Sequence, residues 1–117
     1  MKIYLAGPMT GIPFFNFPLF NEVTDKLREQ GHEVFNPAER DNERHGYDIS
    51  EGNHEGCPML AAKQHGFNLR EALADDMEYI CRHATAICML PGWEKSTGAR
   101  AEHALACALA LTIMYWS

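Results

Sequence analysis

Basic side chains are scarce in this chain: its 117 residues carry 10 Lys and Arg against 16 Asp and Glu, a formal net charge of −6. A nonspecific grip on a nucleic acid polymer needs clustered cations to displace counterions from phosphates, so that class of partner is excluded. A small anionic ligand is still compatible, because the N-terminus of a helix holds one locally whatever the overall sign. Paired cysteines are also lacking. Cys57, Cys81, Cys88 and Cys107 form no CxxC pair, and three of them fall in apolar segments, so small buried thiols in a reduced compartment are expected. His45, His54, Cys57 and His65 match no common zinc spacing, and neither a metal nor a cofactor is expected. Long apolar runs are missing too. The opening MKIYLAGP has too short an apolar run for a signal peptide, and ACALALTIMYW is too short to cross a bilayer; a cytoplasmic protein without a membrane partner follows.

With 46% hydrophobic residues the chain has the apolar material for one core, and residues 1–117 read as a single domain. Lys2 to Ala6 suits a strand buried on both faces. GPMTG follows, where Gly7 and Gly11 permit tight turns and close backbone approach to a ligand and Thr10 offers a hydroxyl. This is neither a P-loop nor a GxGxxG, so taken alone it is a turn. An aromatic cluster broken by Pro13 and Pro18 then leads into a helix with Leu19, Phe20, Val23 and Leu27 inward, closed by Gly31. Phe14, Phe15 and Phe17 suit either a base-stacking wall or helix-to-sheet packing. His32 to Asn36 reads as a second strand ended by Pro37.

From Ala38 to about Gly66 the chain is polar and aperiodic, a lid or a long loop in which Tyr47 and Asp48 could reach a ligand. Phe67 to Arg82 has helical spacing with Leu69, Leu73, Met77 and Ile80 as its inward stripe, and Asp75 and Asp76 read as a solvated acidic pair. Thr85 to Leu90 is a third buried strand, and Thr112 to Trp116 adds a fourth. This order predicts an α/β fold, a Rossmann- or flavodoxin-like three-layer sandwich around a small parallel sheet of four or five strands. Its ligand site belongs off the strand C-terminal ends, where Gly7, Pro37 and Gly92 fall.

The stretch LPGWEKSTGARAEHALA, Leu90 to Ala106, carries the most chemistry. A strand ends, Pro91 and Gly92 break the chain, and a helix opens with Ser96 as N-cap or phosphate donor. Gly98 and Ala99 are small and lie one turn from Glu102, which leaves that acid reachable. Glu102 could be a surface acid favourably placed near a helix start. The run HALACALALTIM behind it is apolar on nearly every side, however, so the helix is expected to be largely buried and an acid on it needs a reason. The segment Ala101 to Met114 is apolar almost all round, more than one sheet face can cover, which supports a homo-oligomer, a dimer or higher.

On these residues the chain resembles the nucleoside 2-deoxyribosyltransferase-like superfamily. It is most similar to its small phage and bacterial branch beginning YLAGPMTG and carrying LPGWEKSTGARAEHALA; the likeness covers most of the chain outside 38–66. The resemblance implies Glu102 as nucleophile, Asp76 (with Asp75 as the other register) as the second acid, and Tyr4 as the residue that fixes a carboxylate. It implies a deoxynucleoside or deoxynucleotide as small-molecule ligand, touched by Gly7, Pro8, Met9, Thr10, Gly11, Gly92, Trp93, Ser96 and Gly98. It also implies a homo-oligomer. Ser96 is similar to a phosphate-contacting serine of the related 2'-deoxynucleoside 5'-phosphate N-hydrolases, whereas Pro8 stands where those have a second serine. His103 replaces a usually small or aliphatic residue. The implied activity is cleavage or transfer at an N-glycosidic bond; the competing class is a protein that binds a nucleotide in the same pocket without turning it over.

Overall fold

The structure, a computed structural model, describes residues 1–40 and 69–117. Four strands, β1 (Lys2–Ala6), β2 (Glu33–Phe35), β3 (Ala86–Met89) and β4 (Thr112–Tyr115), pair in the order β2-β1-β3-β4, every pair parallel. Helices α1 (Phe17–Glu29), α2 (Leu69–Arg82) and α3 (Thr97–Ala108) connect or flank them. This is the α/β three-layer architecture the element order predicts. His45, Tyr47, Asp48, His54, Cys57, His65 and nearly all of the anticipated loop lie outside the described residues.

Strand periodicity creates the two cores. Ile3, Leu5, Ala86, Cys88 and Leu90 pack with Phe17, Phe20, Val23 and Leu27 of α1, while Tyr4, Ala6, Ile87 and Met89 face Ile80 of α2 and Ala99 and Ala106 of α3. Both faces of β1 and β3 are therefore buried, which is why those strands read as unbroken apolar runs. The chain steps from β1 to β2 on one side and to β3 on the other. A crevice at the carboxyl ends of β1 and β3 is the geometric result.

Several expectations are corrected. Residues 37–40 are helical rather than irregular, because Asn36 caps them: its Oδ1 accepts the Ala38 amide at 2.9 Å. The inward stripe of α2 is Ala72, Asp76 and Ile80; Leu69 is 47% exposed, and Leu73 and Met77 are only partly covered. Helix α3 is not largely buried, since only Ala99, Glu102 and Ala106 are covered. Of the described cysteines Cys88 alone is buried; Cys81 and Cys107 are exposed free thiols. Among the described residues no helix is long and apolar enough to cross a membrane.

Gly7 serves packing more directly than ligand approach. A Cβ there would stand 2.7 Å from the Cβ of Leu90, which is fully buried. Gly7→Ala is expected to cost about 1–3 kcal/mol, read as a lower urea midpoint with an unchanged m-value.

Candidate active site

Helix α3 begins where Ser96 Oγ accepts the Ala99 amide at 3.2 Å, so the serine is the N-cap the sequence suggests. Counting from that cap, Ala99, Glu102 and Ala106 form the one stripe that meets the sheet. On α2 the four-residue spacing of Ala72, Asp76 and Ile80 does the same for the second acid. Both carboxylates are thus drawn inside by their helical register: Asp76 is 7% exposed and Glu102 is 5% exposed. Asp75, one position away, turns outward to Arg40 at 3.5 Å. Asp76, not Asp75, is the inward register.

Tyr4 joins the two helices from below. It sits mid-strand, fully buried, with its ring stacked on Phe35, its register neighbour on β2, at a centroid separation of 5.5 Å. Its hydroxyl donates to Glu102 Oε2 at 2.5 Å, and Asp76 bears on the same hydroxyl through charge and hydrogen bonding. Burial, then the Glu102 and Asp76 charges, hold the Tyr4 phenol well above its ordinary range, so it remains a proton donor. Burial pushes Glu102 up to about 8, the Asp76 charge adds to this, and the Tyr4 hydrogen bond opposes both. Near neutrality Glu102 keeps its proton.

These groups line one crevice. Asp76, Glu102 and Tyr4 share its wall with Gly7, Met9, Thr10, Ser96 and Gly98, and its apolar side is made by Phe15, Phe17, Phe20, Leu69 and Leu73. Four residues expected at the ligand are not brought to this wall. Pro8 uses its carbonyl to accept Asn16 Nδ2 at 3.0 Å; Gly11 and Gly92 supply positive φ for turns. Trp93 stacks on His103 at 4.3 Å. Among the described residues no group of three or more His, Cys, Asp or Glu is placed to hold a metal.

Sequence reasoning missed the left-handed turn at Phe14, Phe15 and Asn16, with φ of 55°, 53° and 62°. Three consecutive non-glycine residues in that region are costly, and such strain concentrates at functional sites. Here it turns Phe15 inward to the crevice, and the Asn16 hydrogen bond to Pro8 fixes the loop after β1. Phe35 was also missed as the support of Tyr4; its cross-strand position was the available signal.

Removing the Tyr4 hydroxyl tests this geometry without touching a carboxylate. Tyr4→Phe is expected to cost about 1–3 kcal/mol, because a buried acceptor loses its donor. Glu102, deprived of the interaction that lowers its titration, should move to still higher pH in a carboxyl-carbon NMR titration. An unchanged titration would mean the hydrogen bond is not made in solution.

Fold and site together define a parallel α/β domain with a paired-carboxylate crevice at its topological switch point. Residues 1–115 match the family described as a domain of unknown function (DUF4406), and the chain belongs to that family. No curated protein and no solved structure matches it.

Proposed function

We propose that this protein cleaves or transfers the N-glycosidic bond of a 2'-deoxynucleoside or its 5'-monophosphate, with Glu102 as nucleophile. The observation that carries the reading is the pair of buried carboxylates from successive helices, tied to one tyrosine hydroxyl at the wall of an open crevice. Loss of a base passes through an oxocarbenium-like transition state, which a carboxylate stabilises and then captures at C1'. The other carboxyl supplies the proton that the leaving nitrogen needs.

The proton held at Glu102 sets the order of events. It passes to Asp76, leaving Glu102 as carboxylate; Asp76 then delivers it to the base nitrogen as the C1'–N bond breaks and a Glu102 Oε–C1' bond forms. A water molecule attacking C1' gives its proton to Asp76 and releases Glu102; a second base in place of water yields a new nucleoside. A carboxylate beside Glu102 helps hold the proton there, which suits a division of acid and nucleophile between the two side chains. Tyr4 holds Glu102 in place throughout. Ser96 and the start of α3 offer a hydroxyl and backbone N–H groups to the 5' end of the sugar. The apolar side of the crevice suits a flat aromatic base.

One observation favours a second reading. A Glu102 that keeps its proton near neutrality can donate a hydrogen bond to a bound nucleotide, which is the behaviour of a binding protein that performs no chemistry. Incubation with the four deoxynucleosides and their monophosphates, followed by chromatography of free base, separates the two. Base release supports the glycosidic reading; tight binding seen by calorimetry with no base released replaces it with the binding one.

A further inference from the structure

Helix α2 buries an acid and leaves a leucine half exposed, so something other than hydropathy fixes its roll about its own axis. At about 3.6 residues per turn, the stripe Ala72, Asp76 and Ile80 and the competing stripe Leu69, Leu73 and Met77 have centres about 60° apart. Apolar burial favours turning the second stripe to the sheet, because a leucine gains by leaving water and a carboxylate loses. That roll would swing Asp76 to the flank of the helix, away from Tyr4 and Glu102.

Tyr79 stands where it opposes the roll. Three residues after Asp76, it lies on the flank of α2 turned away from Leu73 and Met77. Its ring centroid is 4.5 Å from that of Phe35 on β2, and its hydroxyl donates to Glu33 Oε2 at 3.1 Å. Glu33 and Phe35 share one face of their strand, so a single side chain of α2 meets both. One turn earlier, Asp75 pairs with Arg40 on the same flank. Turning Leu73 and Met77 to the sheet would lift Tyr79 and Asp75 clear of these partners. Of the two attachments the ring is the stronger: Arg40 is half exposed and Asp75 a third exposed, where ion pairs contribute little, whereas Tyr79 packs against the buried core. Phe35 also stacks on Tyr4 at 5.5 Å. The helix that carries Asp76 and the tyrosine that meets it thus share one support.

We infer that Tyr79 is a positioning residue: its ring, seated on Phe35, sets the roll of α2 that brings Asp76 to Tyr4 and Glu102. For turnover this rests on the glycosidic reading, in which Asp76 delivers the proton; for the arrangement of the acids it does not. Carboxyl-carbon NMR of Glu102 reads the roll without substrate. In Tyr79→Ala, where alanine sustains the helix, Glu102 should titrate at lower pH than in the parent, because the Asp76 charge has moved away. Tyr79→Phe keeps the ring and should stay at the parent value. In an Asp76→Asn background the lowering caused by Tyr79→Ala should shrink, since the charge it displaces is gone; a loosened helix that merely admits water would lower Glu102 equally in both backgrounds. With substrate, Tyr79→Ala should repeat the Asp76→Asn pattern, slow on ordinary deoxynucleosides and near the parent rate on an activated aryl deoxyriboside. If the parent releases no base, the glycosidic reading fails and the titrations still decide this inference. A nuclear Overhauser effect between the Tyr79 and Phe35 rings of the unmodified protein is expected and needs no variant. Its absence, a Glu102 titration unmoved in folded Tyr79→Ala, equal lowering in both backgrounds, or a Tyr79→Phe protein that behaves as Tyr79→Ala would each overturn the inference.

Discussion

Glu102→Gln is expected to lower base release by roughly a thousandfold or more while the protein stays folded. The replacement amide keeps the volume of the side chain and an oxygen that accepts the Tyr4 hydroxyl, so the packing around the site has no reason to change. What disappears is the ability to become an anion, and with it the covalent capture of C1'. Asp76→Asn should be less severe on a substrate with a good leaving group. An activated aryl deoxyriboside departs without protonation, so the defect of Asp76→Asn should shrink on it while that of Glu102→Gln persists. A Glu102→Gln protein that retained normal turnover of both substrates would remove the carboxylate from the chemistry. Equal defects for both variants on both substrates would assign Asp76 to placing Glu102 rather than to proton delivery.

The sequence reading was strongest where local chemistry and global packing agree. Both faces of β1 and β3 are buried, so IYLA and AICM are apolar without interruption and read as strands directly. The crevice could be located approximately from turn residues at the strand ends: Gly7 and Pro37 line it, whereas Gly92, the third turn residue named for it, does not. Failures fell where a site inverts the usual sorting. Hydropathy directs Leu69 inward and Asp76 outward; the structure leaves Leu69 half exposed and buries Asp76. A reading that assigns leucines to the core finds a helix at α2 but rotates it past its functional face. Helix α3 misled for a different reason. Its alanines read as interior, yet composition does not distinguish a helix buried on nearly every side from one that meets the sheet along a single stripe and leaves its small residues exposed. The left-handed turn at Phe14 to Asn16 had no local signal, since those residue types seldom adopt it.

The protein should become less stable as pH rises from about 4.5 to about 8, and Glu102 should account for most of the slope. The folded chain holds this carboxyl at about 8, whereas its ordinary value is 4.5. Below that lower value it is protonated folded or unfolded and costs nothing. Between the two, the unfolded chain has released a proton that the folded chain still binds, so each step up in pH favours unfolding. Above the upper value both states are ionised and the penalty levels off, at an order of 3–5 kcal/mol for a group this buried. A glutamine at 102 carries no titration, so the Glu102→Gln variant should lose the slope and, at pH 8, melt about 10 °C or more above the parent. Burial is the largest cause of the shift and the Asp76 charge comes second. Asp76→Asn should therefore flatten the slope only in part, and its curve should lie between the other two. Urea denaturation at half-unit intervals across this range decides the matter. If parent and Glu102→Gln run parallel, the carboxylate ionises freely in the folded state, and the proton that the proposed reaction draws on is not stored there.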